Sequence, residues 1–444
     1  MNPPLVYILV INWNGREHLE ACLDSLLASD WPNSRVLLID NASTDGSVTF
    51  AEERFGADPR LEILSCPRNL GWSGGNNAGI HWALEHGAEY LFLLNNDTAT
   101  APGAVRALVE MAEVHPEAGA LAPKMVLFDA PRILNSVGLE CSVIGASWDR
   151  GVGRHDTGAW DSPVEVIGAC GGALFLRRTA VERAGLLPED FLIYLDDLDL
   201  CLRILNAGYK ILTCPQAVVR HKFSASFGTG RRARFKYYLN TRNRFWLLLR
   251  NFPGDRLAEI LPAVALGEVR ALGRAVSEGA LWRVWAHVRA WGAALAYVPK
   301  ARRERRCRRA AGVGECRFWP MVLKRPYFCR GVELPHQGFY VEREARGRPV
   351  CPIAQHAWKA FPAGRLRVVL RNCYPALGAA TVRLKVAGVE AGSLSTLDET
   401  SVDLVLPEGS VVEFESDKLF FVEDTGELMD IGGWVEVSIS PLAI

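Results

Sequence analysis

The chain has 444 residues, room for two or three domains at the usual span of about 100–200 residues each. Hydrophobic residues at 49% and charged residues at 23% exclude a mainly disordered, collagenous or low-complexity protein. Lys and Arg number 50 against 50 Asp and Glu, so electrostatics gives no whole-protein argument for nucleic acid as a partner.

The first apolar run, Leu5 to Ile11, has no basic residue ahead of it and leads into Asn12-Trp13-Asn14-Gly15. With no small-residue cleavage site it reads as a strand, not an export signal. No uncharged apolar stretch of about 18 residues occurs, which points to a cytoplasmic chain without an integral membrane helix. Leu19, Cys22, Leu23, Leu26 and Leu27 recur at helical spacing, and Arg35 to Ile39 returns as a second strand. Leu61 to Leu64 is a third. Tyr90 to Leu94 is the most apolar run and meets Asn95-Asn96-Asp97 at once, as a buried central strand with a polar far end does. This alternation of strand and helix patterns predicts an α/β domain with a parallel sheet over residues 1–230.

Residues 231–335 have another character. From Arg220 to Arg330 there are 25 Lys and Arg against 6 Asp and Glu. Arg244 to Leu249 and Leu281 to Leu295 read as amphipathic helices, and Arg302, Arg303, Arg305, Arg306, Arg308 and Arg309 form a dense cluster. Such a segment fits either an anionic membrane surface or packing on the α/β domain with a solvated basic face. From 336 to 444 the pattern turns to period two, as in Val382, Leu384 and Val386 or Val435, Val437 and Ile439. About six short strands there predict a small β-sandwich. Eleven cysteines with no C-x-x-C pair suit free buried thiols.

In an open parallel sheet ligands bind beyond the carboxyl ends of the strands. Those ends carry Asn12-Trp13-Asn14, then Asp40-Asn41-Ala42-Ser43-Thr44-Asp45-Gly46-Ser47, then Asn95-Asn96-Asp97. Each alone also reads as helix capping, with Asp97-Thr98 opening a helix around Val105 to Met111; their gathering at one sheet edge argues against that. Arg68 to Gly79 is a glycine-rich loop running into a helix expected to begin near Asn76, a loop a ligand can approach closely. It is not G-x-G-x-x-G, and no P-loop is present. Asp196, Asp197 and Asp199 lie beside the apolar Phe191 to Leu195. They read either as an acidic first helical turn or as a general base against a cleft. His221, followed by Lys222-Phe223-Ser224, reads as an ordinary structural histidine unless a metal site is independently expected.

Taken in order, these segments, together with Gly168 to Ala173, resemble glycosyltransferase family 2 in its bacterial rhamnosyltransferase-like branch, from the amino terminus to about Arg250. The resemblance implies a GT-A (Rossmann-like) fold, with a nucleotide-sugar across the carboxyl edge of the sheet and Mn²⁺ or Mg²⁺ on its diphosphate. It places Asp97 and His221 on the metal, although Asn95 stands where the D-x-D-like motif has its first acid. Asp40 would accept the pyrimidine N–H, with Asn12, Asn14 and Asn69 around the nucleotide. Asn95 belongs to the same donor site, Asn96 would face the ribose or metal, and Gly75 and Asn76 would lie near the donor sugar. Asp197 is the expected general base, with Asp196 in place of the family's Glu and Asp199 a weaker candidate. The implied reaction is a single inverting displacement onto a glycan or lipid-linked glycan.

The basic segment and the tail lie beyond the resemblance; the helices are expected to hold the protein at the inner membrane face, and the sandwich to grip acceptor glycan or mediate self-association. A sugar-phosphate nucleotidyltransferase, the main alternative, usually has a glycine-rich basic loop where this chain has Asn12-Trp13-Asn14-Gly15. A non-catalytic carbohydrate-binding protein would leave the acidic residues without a purpose.

Overall fold

In a computed structural model, the described residues are 3–128, 131–154, 156, 158–222, 231–277 and 279–323, with strand segments between 343 and 441. They form two compact units, one of Met1–Val126, Ser136–Arg150 and Gly158–Cys329, the other of Leu127–Asn135, Gly151–Thr157 and Arg330–Ile444. No described helix is long and apolar enough to cross a membrane.

The first unit opens with β1 (Val6–Asn12), α1 (Arg16–Leu27), β2 (Ser34–Asp40), α2 (Ser47–Phe55), β3 (Leu61–Ser65), α3 (Gly71–Glu85) and β4 (Tyr90–Asn95). Then come β5 (Thr98–Thr100), α4 (Ala104–Val114), β6 (Ala118–Leu127), β7 (Leu134–Ser136), β8 (Leu139–Cys141) and β9 (Ser147–Asp149). The series ends with β10 (Ala173–Arg177), α5 (Arg178–Ala184), α6 (Asp196–Asn206), β11 (Lys210–His221), α7 (Arg231–Asn251), α8 (Gly254–Ser277) and α9 (Leu281–Ala310). The main sheet runs β3-β2-β1-β4-β10-β6-β11-β5. β1, β2, β3 and β4 are parallel, and β10 enters antiparallel to β4.

The uninterrupted apolar runs are explained by cover on both faces. Tyr7, Leu9, Leu37, Ile39, Leu91 and Leu93 join one core with α3, α6 and α7. Their neighbours Val6, Ile8, Val10, Val36, Leu38 and Phe92 join another with α1, α2 and α4. A period of two splits β1, β2 and β4 between the two cores.

The expected start of α3 is corrected. The helix begins at Gly71, so the glycine-rich stretch is helical, not a loop. Its glycines serve close packing: a Cβ at Gly75 would meet Ile11 Cδ1 at 2.6 Å, and one at Gly79 would meet Ile39 Cδ1 at 2.3 Å. Nor does Asp97-Thr98 open a helix; Thr98 begins β5, which pairs with β11, and α4 starts at Ala104.

The basic segment belongs to the first unit. Asp199 on α6 takes Arg203 Nε and Arg250 Nε at 2.9 Å each and Asn251 Nδ2 at 2.7 Å. Arg250 also reaches Tyr297 Oη at 2.9 Å and Glu304 on α9. Burial alone would raise the Asp199 carboxyl, but the two guanidiniums hold it far below the carboxylate range. The candidate base role is thereby excluded for Asp199, whose oxygens are committed to structure. The arginine cluster divides: Arg305 and Arg308 donate to the Phe252 and Arg250 carbonyls at the end of α7, while Arg302, Arg303 and Arg306 are exposed.

The second unit is β-rich. One antiparallel sheet orders Arg343–Ala345, Arg348–Ile353, Val435–Pro441, Gly364–Asn372 and Glu399–Leu406. The other orders His356–Ala360, Val411–Ser416, Ala380–Val386 and Val389–Thr396. Val382, Leu384, Leu404 and Leu406 are buried while Arg383, Asp403 and Val405 point outward, the alternation of a small sandwich. Ser224 and Gly338 lie outside the described residues.

Replacing Arg250 by Met should lower unfolding stability by roughly 3–5 kcal/mol, because it leaves part of a buried carboxylate uncompensated. Chemical denaturation measures it, and a loss within error of zero would contradict the role given to this ion cluster.

Candidate active site

The strand order reverses direction between β1 and β4, the position where open α/β sheets bind ligands. Asn96 Nδ2 donates to Asn12 Oδ1 at 2.6 Å across that gap. Asn12, fully buried, in turn donates to Ser43 Oγ at 3.1 Å and Asp40 Oδ1 at 3.4 Å. Asp40 Oδ2 accepts the Ser43 N–H at 3.1 Å, and Asn14 Oδ1 accepts the Thr44 N–H at 2.7 Å. Gly15 is needed here, since a Cβ would meet Asn96 Nδ2 at 1.9 Å. Asn12, Asn14, Asp40 and Asn96 are thus gathered in one network.

Asn69 lies to the side. Its Oδ1 accepts the Gly71 N–H at 2.8 Å and Asn41 Nδ2 at 3.2 Å, which fixes the entry to α3. Gly75 packs under Ile11 and Asn41. Asn76 donates to the Trp72 carbonyl at 2.9 Å, leaving its Oδ1 buried and unpartnered.

Strand pairing sets Thr98 opposite His221, which brings His221 Nε2 to 3.2 Å from Asp97 Oδ1. Burial opposes the charge on Asp97, but His221 and the nearby His18 outweigh it and hold its carboxyl below the ordinary range. A carboxylate and an imidazole side by side can ligate a divalent cation. Among the described residues no cluster of three or more such ligands exists, so a cation here would need oxygens from its substrate or water.

Asp196 and Asp197 open α6 after an unusual turn. Leu192, Tyr194 and Leu195 have φ of 67°, 75° and 62°, a left-handed backbone that costs non-glycine residues on the order of 1–3 kcal/mol each. The turn is held from both sides. The Trp72 N–H at the start of α3 donates to the Leu192 carbonyl at 2.7 Å. Asn243 Nδ2 on α7 donates to the carbonyls of Phe191, Ile193 and Tyr194 at 2.9–3.0 Å. Ser73 Oγ donates to Asp196 Oδ2 at 2.5 Å. Asp197 accepts the Gly171 and Leu198 N–H groups at 2.8 and 2.7 Å. Burial and the neighbouring Asp197 charge push Asp196 up. Burial also raises Asp197, while its two backbone donors favour the ion, and the two carboxyls give up their protons as a pair.

Gly171 and Gly172 connect the halves. A Cβ at Gly171 would meet Trp72 Cη2 at 2.8 Å and Asp197 Cβ at 3.3 Å; one at Gly172 would meet His221 Cε1 at 3.4 Å and Asn95 Nδ2 at 3.6 Å. Asn95 Oδ1 accepts Trp72 Nε1 at 2.9 Å. Asp97 and His221 therefore stand on one side of this dipeptide and Asp197 on the other.

Residues 7–182 match the family described as Glycosyl transferase family 2. An N-acetylglucosaminyl-diphospho-decaprenol L-rhamnosyltransferase of Mycobacterium tuberculosis is 30% identical over 240 residues, 50% of this chain and 77% of that one. The chain belongs to glycosyl transferase family 2. It is a glycosyltransferase, and its α/β unit has the GT-A architecture expected above. Among solved structures, GalNAc-T7 with UDP, GalNAc and Mn²⁺ aligns at TM-score 0.47 and 14% identity over 57% of the transferase and 49% of that chain, so the transferase spans about half of it. A mannosyltransferase from Pyrobaculum calidifontis in complex with GDP-Man and Mn²⁺ aligns at TM-score 0.41 and 18% identity, over 67% of the transferase and 88% of that chain.

Sequence reasoning missed Asn243 and Asp149. Asn243 serves main-chain carbonyls of a distant turn, which no motif reports. Asp149 stands alone on the short strand β9. It lies near Ser136 and Cys170 and within range of the Asp197 charge, and its Oδ1 is buried without a partner.

Asn243→Ala in the transferase should cost about 1–3 kcal/mol of stability, because three carbonyls lose their donor. It should lower kcat while nucleotide-induced thermal shifts persist. Burial pushes the Asp149 carboxyl up to about 6, against about 3.9 unfolded. The folded state therefore binds the proton more tightly, and that stability is present below about pH 4 and lost as pH rises through about 6. Asp149→Asn should match the parent at pH 4 and exceed it at pH 7 by on the order of 2 kcal/mol. Melting curves across this range check the sign.

Proposed function

We propose that this transferase moves a sugar from a nucleoside-diphosphate donor, dTDP-rhamnose or a UDP-sugar, to a hydroxyl of a glycan or lipid-linked glycan, with inversion at the anomeric carbon. The observation that carries this reading is the Gly171–Gly172 dipeptide, with a carboxylate–imidazole pair on one side and a backbone-held aspartate on the other. The name of the Mycobacterium tuberculosis relative supports a deoxyhexose donor and a lipid-diphosphate-linked acceptor.

Asp40 accepts the pyrimidine N–H, with Asn12 fixing its carboxylate and Asn14 and Asn96 bordering the ribose. Asn69, Gly75, Asn76 and Asn95 shape the donor side, where the unpartnered Asn76 Oδ1 is an acceptor for a sugar hydroxyl. Asp97 and His221 fit a divalent cation, Mn²⁺ or Mg²⁺, since the surroundings favour the charged form of Asp97 and, among the described residues, its Oδ1 has the imidazole against it. When bound, that cation would neutralise the charge that grows on the departing diphosphate. Asp197 removes the acceptor hydroxyl proton as its oxygen bonds to the anomeric carbon, and the bond to the diphosphate breaks with its electron pair going to the nucleotide. Asp196 stays protonated on this reading, which keeps the negative charge on Asp197.

Asp197→Asn should lower kcat by about 10²- to 10⁴-fold with little change in donor KM. Asp97→Asn and His221→Ala should remove the Mn²⁺-dependent part of the thermal shift given by nucleoside diphosphates. If neither dTDP nor UDP compounds shift the parent with Mn²⁺ present, the reading fails.

A further inference from the structure

We propose that the outer faces of α8 and α9 form a docking surface for an anionic lipid bilayer. On α8, Ala258, Leu261, Ala265, Val269 and Val276 recur every three to seven residues and are all exposed. On α9, Leu281, Trp285, Val288, Gly292, Leu295 and Pro299 do the same, with Trp285 63% and Leu295 75% exposed. No acidic residue interrupts either stripe. At the same helical angle the α9 stripe passes into the exposed Arg302, Arg303 and Arg306.

These faces are not turned outward by accident of a loose helix. Buried Glu268 on α8 takes Arg244 of α7 and, at 2.7 Å each, His287 and Trp291 of α9. Trp246 of α7 stacks on Tyr297 of α9 with ring centroids 4.3 Å apart. The rotation of both helices is therefore fixed by their inner faces, and the apolar stripes are left to solvent. Exposed apolar stripes along two helices held together by their inner faces mark a binding site, and the exposed arginines at the end of the α9 stripe decide the partner. A second copy would bring like charges together, whereas anionic headgroups answer them while leucine and tryptophan enter the acyl boundary. With no described helix long and apolar enough to span, the contact proposed is interfacial. The same α7 holds the turn ahead of Asp196 and Asp197 through Asn243, so a bilayer docked here lies on the scaffold of the base. The inference goes beyond the transfer reaction and does not depend on which donor is used.

The test is co-sedimentation of the full chain with phosphatidylcholine vesicles, with and without phosphatidylglycerol. Binding is expected only to the anionic vesicles and should weaken with salt. The triple variant Arg302→Glu, Arg303→Glu, Arg306→Glu should weaken it on the order of a hundredfold. The pair Val269→Asp, Leu295→Asp should weaken it about tenfold or more. All changed positions are exposed, so melting temperature and the nucleotide-induced shift should persist, which separates this test from the donor reading. Absence of binding, equal binding to neutral vesicles, or variants that bind like the parent overturn the proposal. So does a dimer lost in the Asp pair without vesicle binding, which would make a second copy the occupant.

Discussion

The site depends on a strained turn being held in place. Three non-glycine residues between Leu192 and Leu195 have a left-handed backbone, and such a conformation persists only where its surroundings over-determine it. Here α3 supplies the Trp72 N–H and α7 supplies Asn243, which between them take four successive carbonyls from Phe191 to Tyr194. The result is that Asp196 and Asp197 begin α6 pointing at Ser73 and Gly171. The basic helices are thus part of the scaffold that sets the start of α6, and the Asp199–Arg250 contact ties the same two elements a turn further on.

The sheet supplies the other half of the arrangement. Because both faces are covered, β1, β2 and β4 have nothing to offer a ligand except their carboxyl ends, and the polar residues collect there. Asn12, Asp40 and Asn96 satisfy one another in the free protein, which preserves their positions at little cost in reorganisation. Asp97 is placed differently, since β5 and β11 bring His221 to it from far along the chain.

Much of this was legible in the residues. The apolar runs at Val6 to Ile11 and Tyr90 to Leu94 identified strands buried on both faces, and the Asn and Asp residues after them marked the sheet edge where the candidate site is assembled. The gathering of Asp97 with His221 followed only from the family resemblance, because a pairing across 124 residues leaves no local trace. The glycines at 71–79 misled because the same permissiveness serves a loop near a ligand and a helix pressed onto a sheet; only the approach of Ile11 and Ile39 distinguishes them. Asn243 and Asp149 were invisible, since a single polar residue in a helix or short strand carries no period. The arginine cluster was visible as charge, but its division into inward and outward sets depends on the phase of α9 against α7.

The Gly171–Gly172 dipeptide also constrains how this lineage can diversify. A side chain at Gly171 would press on the Trp72 ring at 2.8 Å and one at Gly172 on the Met125 methyl at 2.9 Å, so on the proposed reading a change of sugar choice is channelled to the rim of the cleft. On that reading new specificities would arise at tolerant peripheral positions while the spacing of Asp97 and Asp197 about the dipeptide stays fixed.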